Sequence, residues 1–106
     1  MDARIQKLLE EFVVGLRGIY GGRLRGAFLY GSRARGEAEE GSDADMLIVL
    51  DRIEHYASEI DRTGMLCAAL SLHYDVSISR VFVSEQAWQT RHTPFLENVR
   101  AEALSP

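Results

Sequence analysis

The chain predicts an α+β fold: a two-layer (α/β) arrangement in which helices pack mainly on one face of a small mixed β-sheet, within a single domain over residues 1–106. Three observations predict it. Three short, β-type apolar stretches alternate with segments whose apolar residues recur at helical spacing. A Gly-Ser pair ends the first stretch and an Asp pair begins the second, and they meet only if those two strands run antiparallel. A helix-length segment joins the second to the third, and parallel neighbours require such a crossover.

Ile5, Leu8, Leu9, Phe12, Val13, Leu16, Ile19 and Tyr20 recur every three or four residues. They define an amphipathic helix from about Asp2 to Tyr20, with Asp2 as its cap and Gly21-Gly22 as its stop. Leu24 to Tyr30 reads as a strand. Gly31 to Ser42 is polar and rich in small residues, a loop holding one helical turn. Asp45 to Asp51 is apolar almost throughout, so it is expected as the central strand. Ile53 to His73 returns to helical spacing, with Tyr56, Ala57, Ile60, Cys67 and Leu70 on the inner side and Gly64 weakening the middle. Asp75 to Val83 is rich in β-branched residues and makes the third strand. Ser84 caps a short helix through Trp88. Thr93-Pro94 then opens a last helix whose inner side is Phe95, Leu96, Val99 and Ala103.

Composition narrows the function classes. Hydrophobic residues make up 46% and charged residues 26%, as in an ordinary globular protein. The longest apolar run, Met46 to Leu50, is strand-sized and cannot span a bilayer. Met1 to Ile5 lacks the layout of a secretion signal. Cys67 is the only cysteine, without an internal disulfide partner or Cys/His neighbours at zinc spacing, so a cytoplasmic address is expected. The net charge of −4 argues against direct nucleic-acid binding. All but one (Lys7) of the 12 basic residues are arginine, the side chain that holds phosphate bidentately.

Gly31-Ser32 ends one strand, and Asp43-Ala44-Asp45 begins the next after ten residues, Arg33 to Ser42. Side chains alternate along a strand, so Asp43 and Asp45 point the same way, with Cα atoms roughly 6.6 Å apart. Two carboxylates on one face suit a hard divalent cation, Mg²⁺ or Mn²⁺. Gly31 permits close backbone approach, and Ser32 offers a hydroxyl and turn N–H groups to a polyphosphate. The Gly-Ser corner and the acidic pair meet only if their strands are antiparallel. Asp75, at the start of the third strand, joins the same edge if the second and third strands are parallel. These are the parts of a phosphoryl or nucleotidyl transfer site.

Leu29-Tyr30-Gly31-Ser32-Arg33-Ala34-Arg35-Gly36 with Ser42-Asp43-Ala44-Asp45-Met46-Leu47-Ile48-Val49 resembles the signature of the minimal nucleotidyltransferase (MNT) proteins, a branch of the polymerase-β-like superfamily. That signature is Gly-Ser, ten residues, then Asp-x-Asp, and the likeness covers nearly the whole chain. It implies a nucleotidyltransferase-like fold, with Asp43 and Asp45 binding Mg²⁺ and a third acid, mapped onto Asp75, completing the metal site and serving as base. Gly31, Ser32 and Arg33 are then the nucleotide-binding residues, with ATP or another NTP as substrate. The likeness further implies an antitoxin role beside a helical HEPN protein, with AMP transferred to a hydroxyl of that toxin.

Alternatives stand beside this reading. A catalytically weak or inactive module that neutralises a HEPN partner by contact alone has the same sequence features. A haloacid-dehalogenase-type phosphatase places its Asp-x-Asp after an apolar strand, whereas here the strand follows. A metal-dependent nuclease is disfavoured by the acidic charge. Arg35 is a second candidate phosphate clamp. Glu37, Glu39 and Glu40 read as a hydrated run, Asp51 as a helix cap, and His73 as a half-buried structural histidine. A site on so small a domain is expected to be shallow and closed by a partner, a second copy or another protein, with Phe95, Leu96 and Val99 as the contact surface.

Overall fold

The computed structural model describes residues 1–106. Helix α1 (Ala3–Tyr20) opens where the Asp2 carboxylate accepts from the Ile5 N–H, and ends at Gly21, whose φ of 56° few other residues tolerate. A 3₁₀ turn (Gly21–Arg23) leads into β1 (Leu24–Tyr30). The one-turn helix α2 (Ser32–Arg35) follows, then β2 (Ala44–Leu50), the crossover helix α3 (Tyr56–Tyr74) and β3 (Ile78–Ser84). Two short helices, α4 (Glu85–Thr90) and α5 (Pro94–Glu102), end the order, capped by the Ser84 and Thr93 hydroxyls.

The sheet runs β1-β2-β3, with β1 antiparallel to β2, as the meeting of Gly-Ser with the acidic pair requires, and β2 parallel to β3, as the helical crossover predicts. Tyr30 pairs with Asp45, and Asp45 pairs with Ser79 on its other side. Apart from Asp45 itself, β2 is buried along its length, because both of its faces are covered. The long helices α1 and α3 lie on one face, where Leu8, Leu9, Phe12 and Leu16 meet Leu29, Met46, Ile48 and Phe82. The opposite face is covered more thinly: Leu47 and Val49 pack with Val99 of α5 and Trp88 of α4. Trp88 also stacks on Phe28, with ring centroids 5.3 Å apart. No helix is long and apolar enough to cross a membrane.

Several sequence expectations need correction. Along α3 the buried residues are Glu59, Thr63 and Cys67, while Tyr56 and Ala57 are exposed. Glu59 is buried because the Tyr20 hydroxyl donates to it at 2.9 Å and Arg23 and Arg62 flank it. Thr63 accepts from Arg80 Nε and donates to the Glu59 carbonyl. Polar residues with internal partners thus take inner positions that a hydropathy pattern assigns outward. Leu96 and Val99 are buried, Val99 against Leu47 and Val49 of the sheet, so of the expected contact residues only Phe95 is exposed, beside Tyr30. Asp51 caps no helix, since it accepts from Arg23 Nε at 3.0 Å and from the Arg52 N–H. His73 is exposed rather than half-buried.

The third strand begins at Ile78, not at Asp75. α3 continues through Tyr74, and Asp75 is its C-cap in the left-handed conformation (φ 52°, ψ 52°). The Asp75 and Val76 N–H groups both return to the Ser71 carbonyl, satisfying the helix end.

Candidate active site

The site is assembled where β1 ends and β2 begins. Gly31 has φ 77° and ψ −160°, a region open in practice only to glycine. Its carbonyl accepts from the Ala34 and Arg35 N–H groups, both at 3.1 Å, which starts α2 immediately after β1. A second constraint on Gly31 comes from across the sheet. A Cβ placed there would lie 2.3 Å from Asp45 Oδ2. The close approach that Gly31 permits in this structure is therefore that of the Asp45 carboxylate.

Asp43 lies exposed just before β2, and Asp45 is the second residue of the strand, half-buried. Burial, then the neighbouring Asp43 charge, pushes the Asp45 carboxyl above its usual range, while Arg35 acts in the opposite direction. Two carboxylates that repel each other beside a corner kept free of side chain are a donor set suited to a divalent cation. Tyr30, paired with Asp45 and half-buried, has its hydroxyl pushed up to about 12, first by burial and then by the Asp45 charge. It therefore stays protonated at neutral pH.

Arg33 has turned away from the phosphate-clamp role expected of it. Its guanidinium is buried, and Nε and Nη2 both donate to the Ser42 carbonyl, at 2.9 and 2.7 Å. This bidentate contact closes the Gly31–Ser42 loop onto itself and fixes the residue preceding Asp43. Within the loop, the Ser42 hydroxyl accepts from the Glu39 N–H at 3.0 Å. Arg33→Leu frees that carbonyl and loosens the approach to the acidic pair. It is expected to lower the unfolding free energy by about 1–3 kcal/mol, the range for a buried acceptor left unpaired, measured by denaturant titration.

Asp75 reaches the same end of the sheet but not the pair. It lines a cavity of about 470 Å³ with Arg33, Gly41, Ser42 and Ser77. No three His, Cys, Asp or Glu side chains in the chain are grouped closely enough to share a metal ion, so the expected three-aspartate cluster is absent. The residue facing Asp45 across the parallel pairing is Ser79. The physical reason is the helix end: α3 keeps Asp75 in its own capping turn, three residues short of the strand.

Sequence reasoning passed over Glu102. Its carboxylate accepts from the Gly31 N–H at 3.0 Å and from Arg35 Nη1 at 2.8 Å, 71 and 67 residues away in sequence. Arg35 also donates to Glu37 at 2.9 Å. No local pattern marks Glu102, which occupies the last position of an exposed-looking helix turn.

A glycine corner closed against an aspartate, with a second aspartate two residues before it on a mixed sheet, fits a nucleotidyltransferase. Residues 7–93 match the nucleotidyltransferase domain family, and the chain belongs to that family. Among individual relatives, a "putative protein adenylyltransferase" of Methanocaldococcus jannaschii is 37% identical over 98 residues, which span 92% of each chain. A solved structure of a "putative minimal nucleotidyltransferase" is 28% identical, with TM-score 0.59, over 100% of this chain and 97% of that one. A crystal structure of a toxin–antitoxin with AMP-PNP shares the fold at TM-score 0.64 and 18% identity, over 90% of this chain and 69% of that one.

Proposed function

We propose that this protein transfers a nucleoside monophosphate, AMP from ATP, to a hydroxyl on a partner protein, as the MNT antitoxin beside a HEPN-type toxin in the cytoplasm. The observation that carries the proposal is the Asp45 carboxylate held against Gly31 at the mouth of β2, with the Asp43 charge beside it. The relative named for protein adenylylation and the AMP-PNP-bearing toxin–antitoxin fold support the choice of nucleotide and partner. Asp43 and Asp45 would hold Mg²⁺ (or Mn²⁺), which when bound neutralises phosphate charge and fixes the triphosphate. Gly31 and Ser32 border the space for the phosphate tail, and Arg33 keeps the loop before the pair in place. The acceptor oxygen forms a bond to the α-phosphorus as the bond to the bridging oxygen breaks, and pyrophosphate leaves. The hydroxyl proton passes to a base, and Asp75 is the acid the family resemblance offers for it.

A second reading is favoured by one observation, the absence of a third carboxylate in contact with the pair. In it the protein neutralises its toxin by contact alone. Incubation of the protein and a HEPN partner with ATP labelled at the α-phosphate separates the two. Label appears on the partner under the first reading; an unlabelled partner that is nonetheless silenced establishes the second. Asp75→Asn is expected to slow labelling by about 100-fold or more, the lower range for a lost general base, without changing Mg²⁺-ATP affinity in calorimetry. Undiminished labelling by that variant removes Asp75 from the chemistry.

A further inference from the structure

Arg35 and Glu102 form a charged pair at the rim of the site that the mechanism above does not use. Glu102 is delivered by a firmly held element. Val99 packs against Leu47 and Val49, and the Arg100 guanidinium donates to the Trp88 and Arg91 carbonyls while lying over the Trp88 ring. Just past α5, Leu104 and Leu29 exchange both backbone hydrogen bonds, at 2.8 and 2.9 Å, along the outer edge of β1. Glu102 therefore reaches the Gly31 corner from a fixed position, with its side chain only 19% exposed. One carboxylate oxygen holds the Gly31 N–H and the other holds Arg35.

Arg35 is otherwise a long side chain on the surface, free to sample many rotamers. Glu102 and Glu37 engage two of its N–H groups, and a guanidinium carries five, so three remain for another acceptor. The charges of Arg35 and Glu102 are both felt at Asp45, which puts them within electrostatic reach of the acidic pair. A planar cation with free donors, tethered beside the glycine corner by a carboxylate that also holds the Gly31 amide, suits phosphate recognition.

We infer that Glu102 is a positioning residue: through its paired contacts with the Gly31 amide and the Arg35 guanidinium, it orients Arg35 to bind the triphosphate of the nucleotide. The inference rests on the nucleotide-site reading above. Glu102→Gln separates the two contacts, because the amide oxygen still accepts from Gly31 while the charged hold on Arg35 is lost. Calorimetric titration with Mg²⁺-ATP of the wild type, Glu102→Gln, Arg35→Gln and the double variant tests it, alongside thermal melting of each. Each single variant is expected to bind about tenfold more weakly, with the double variant no weaker than the worse single, since both changes remove one function. Glu102→Gln is expected to melt close to the wild type. Unchanged affinity, independent additive losses, or a lower melting temperature with intact affinity overturns the inference. Tighter binding also overturns it, and makes Glu102 a competitor of the phosphates. Wild-type binding is read first: its absence removes the nucleotide-site reading and this inference together, whereas wild-type binding with unaffected variants removes only the inference.

Discussion

Asp45→Asn makes the protein more stable and at the same time unable to bind Mg²⁺-ATP. Both effects follow from one feature, a half-buried carboxylate facing another of like charge. Because the folded-state pKa of Asp45 is raised, the folded chain takes up its proton sooner than the unfolded chain does. The stability contributed by that proton is complete below the unfolded value, about pH 4, and is lost as pH rises through the higher folded value. At neutral pH the wild type has lost it. Asparagine keeps the shape, carries no charge and removes this pH-dependent loss, so the variant should melt a few degrees higher at pH 7 and show a flatter melting profile between pH 4 and 7. The same change deletes a proposed cation ligand, and Mg²⁺-ATP affinity is expected to fall by more than about 100-fold. Added Mg²⁺-ATP then raises the melting temperature of the wild type but not of the variant. A variant that binds as the wild type does removes Asp45 from the site, whatever its stability.

Gly31→Ala is expected to damage both folding and binding. The backbone conformation at Gly31 costs a residue with a Cβ about 1–3 kcal/mol. The new methyl group also meets Asp45 Oδ2 at 2.3 Å, a collision relieved only by moving the carboxylate or separating β1 from β2. With each kcal/mol worth about 4–8 °C for a domain near this size, a loss of 5–20 °C in melting temperature is expected, with Mg²⁺-ATP affinity reduced at least tenfold. Gly36→Ala is the control, because Gly36 also has a positive φ of 76° but nothing within 4 Å of its would-be Cβ. It should lose about 1 kcal/mol and bind normally. Equal binding losses in the two variants would attribute the defect to the backbone alone and not to a displaced Asp45.

Much of the site was legible because its parts lie where periodic segments begin and end. Tyr30 closes one strand and Asp45 lies at the start of the next, so the Gly-Ser corner and the acidic pair share an edge only in the antiparallel pairing that the sheet adopts. The parallel pairing of β2 with β3 followed from the helix-length crossover in the same way. Asp75 misled because Tyr74-Asp75-Val76 reads equally as a helix end or a strand start, and only the return of the Asp75 and Val76 N–H groups to Ser71 chooses between them. Arg33 misled for a different reason. An arginine in a polar loop is usually solvated, and the acceptor that buries this one is a backbone carbonyl, which no residue type announces.

The amino-acid sequence by itself determined the elements, their order, the parallel crossover from β2 to β3 and the placing of Gly31 and Asp45 at facing strand ends. Those properties depend on local periodicity, capping and the reach of short connections. Only the tertiary structure decided which polar groups engage one another: Glu59 with Tyr20, Arg33 with Ser42, and Glu102 with Gly31 and Arg35. Such partners are brought together by the packing of distant elements, and a single charged side chain carries no record of what it will meet.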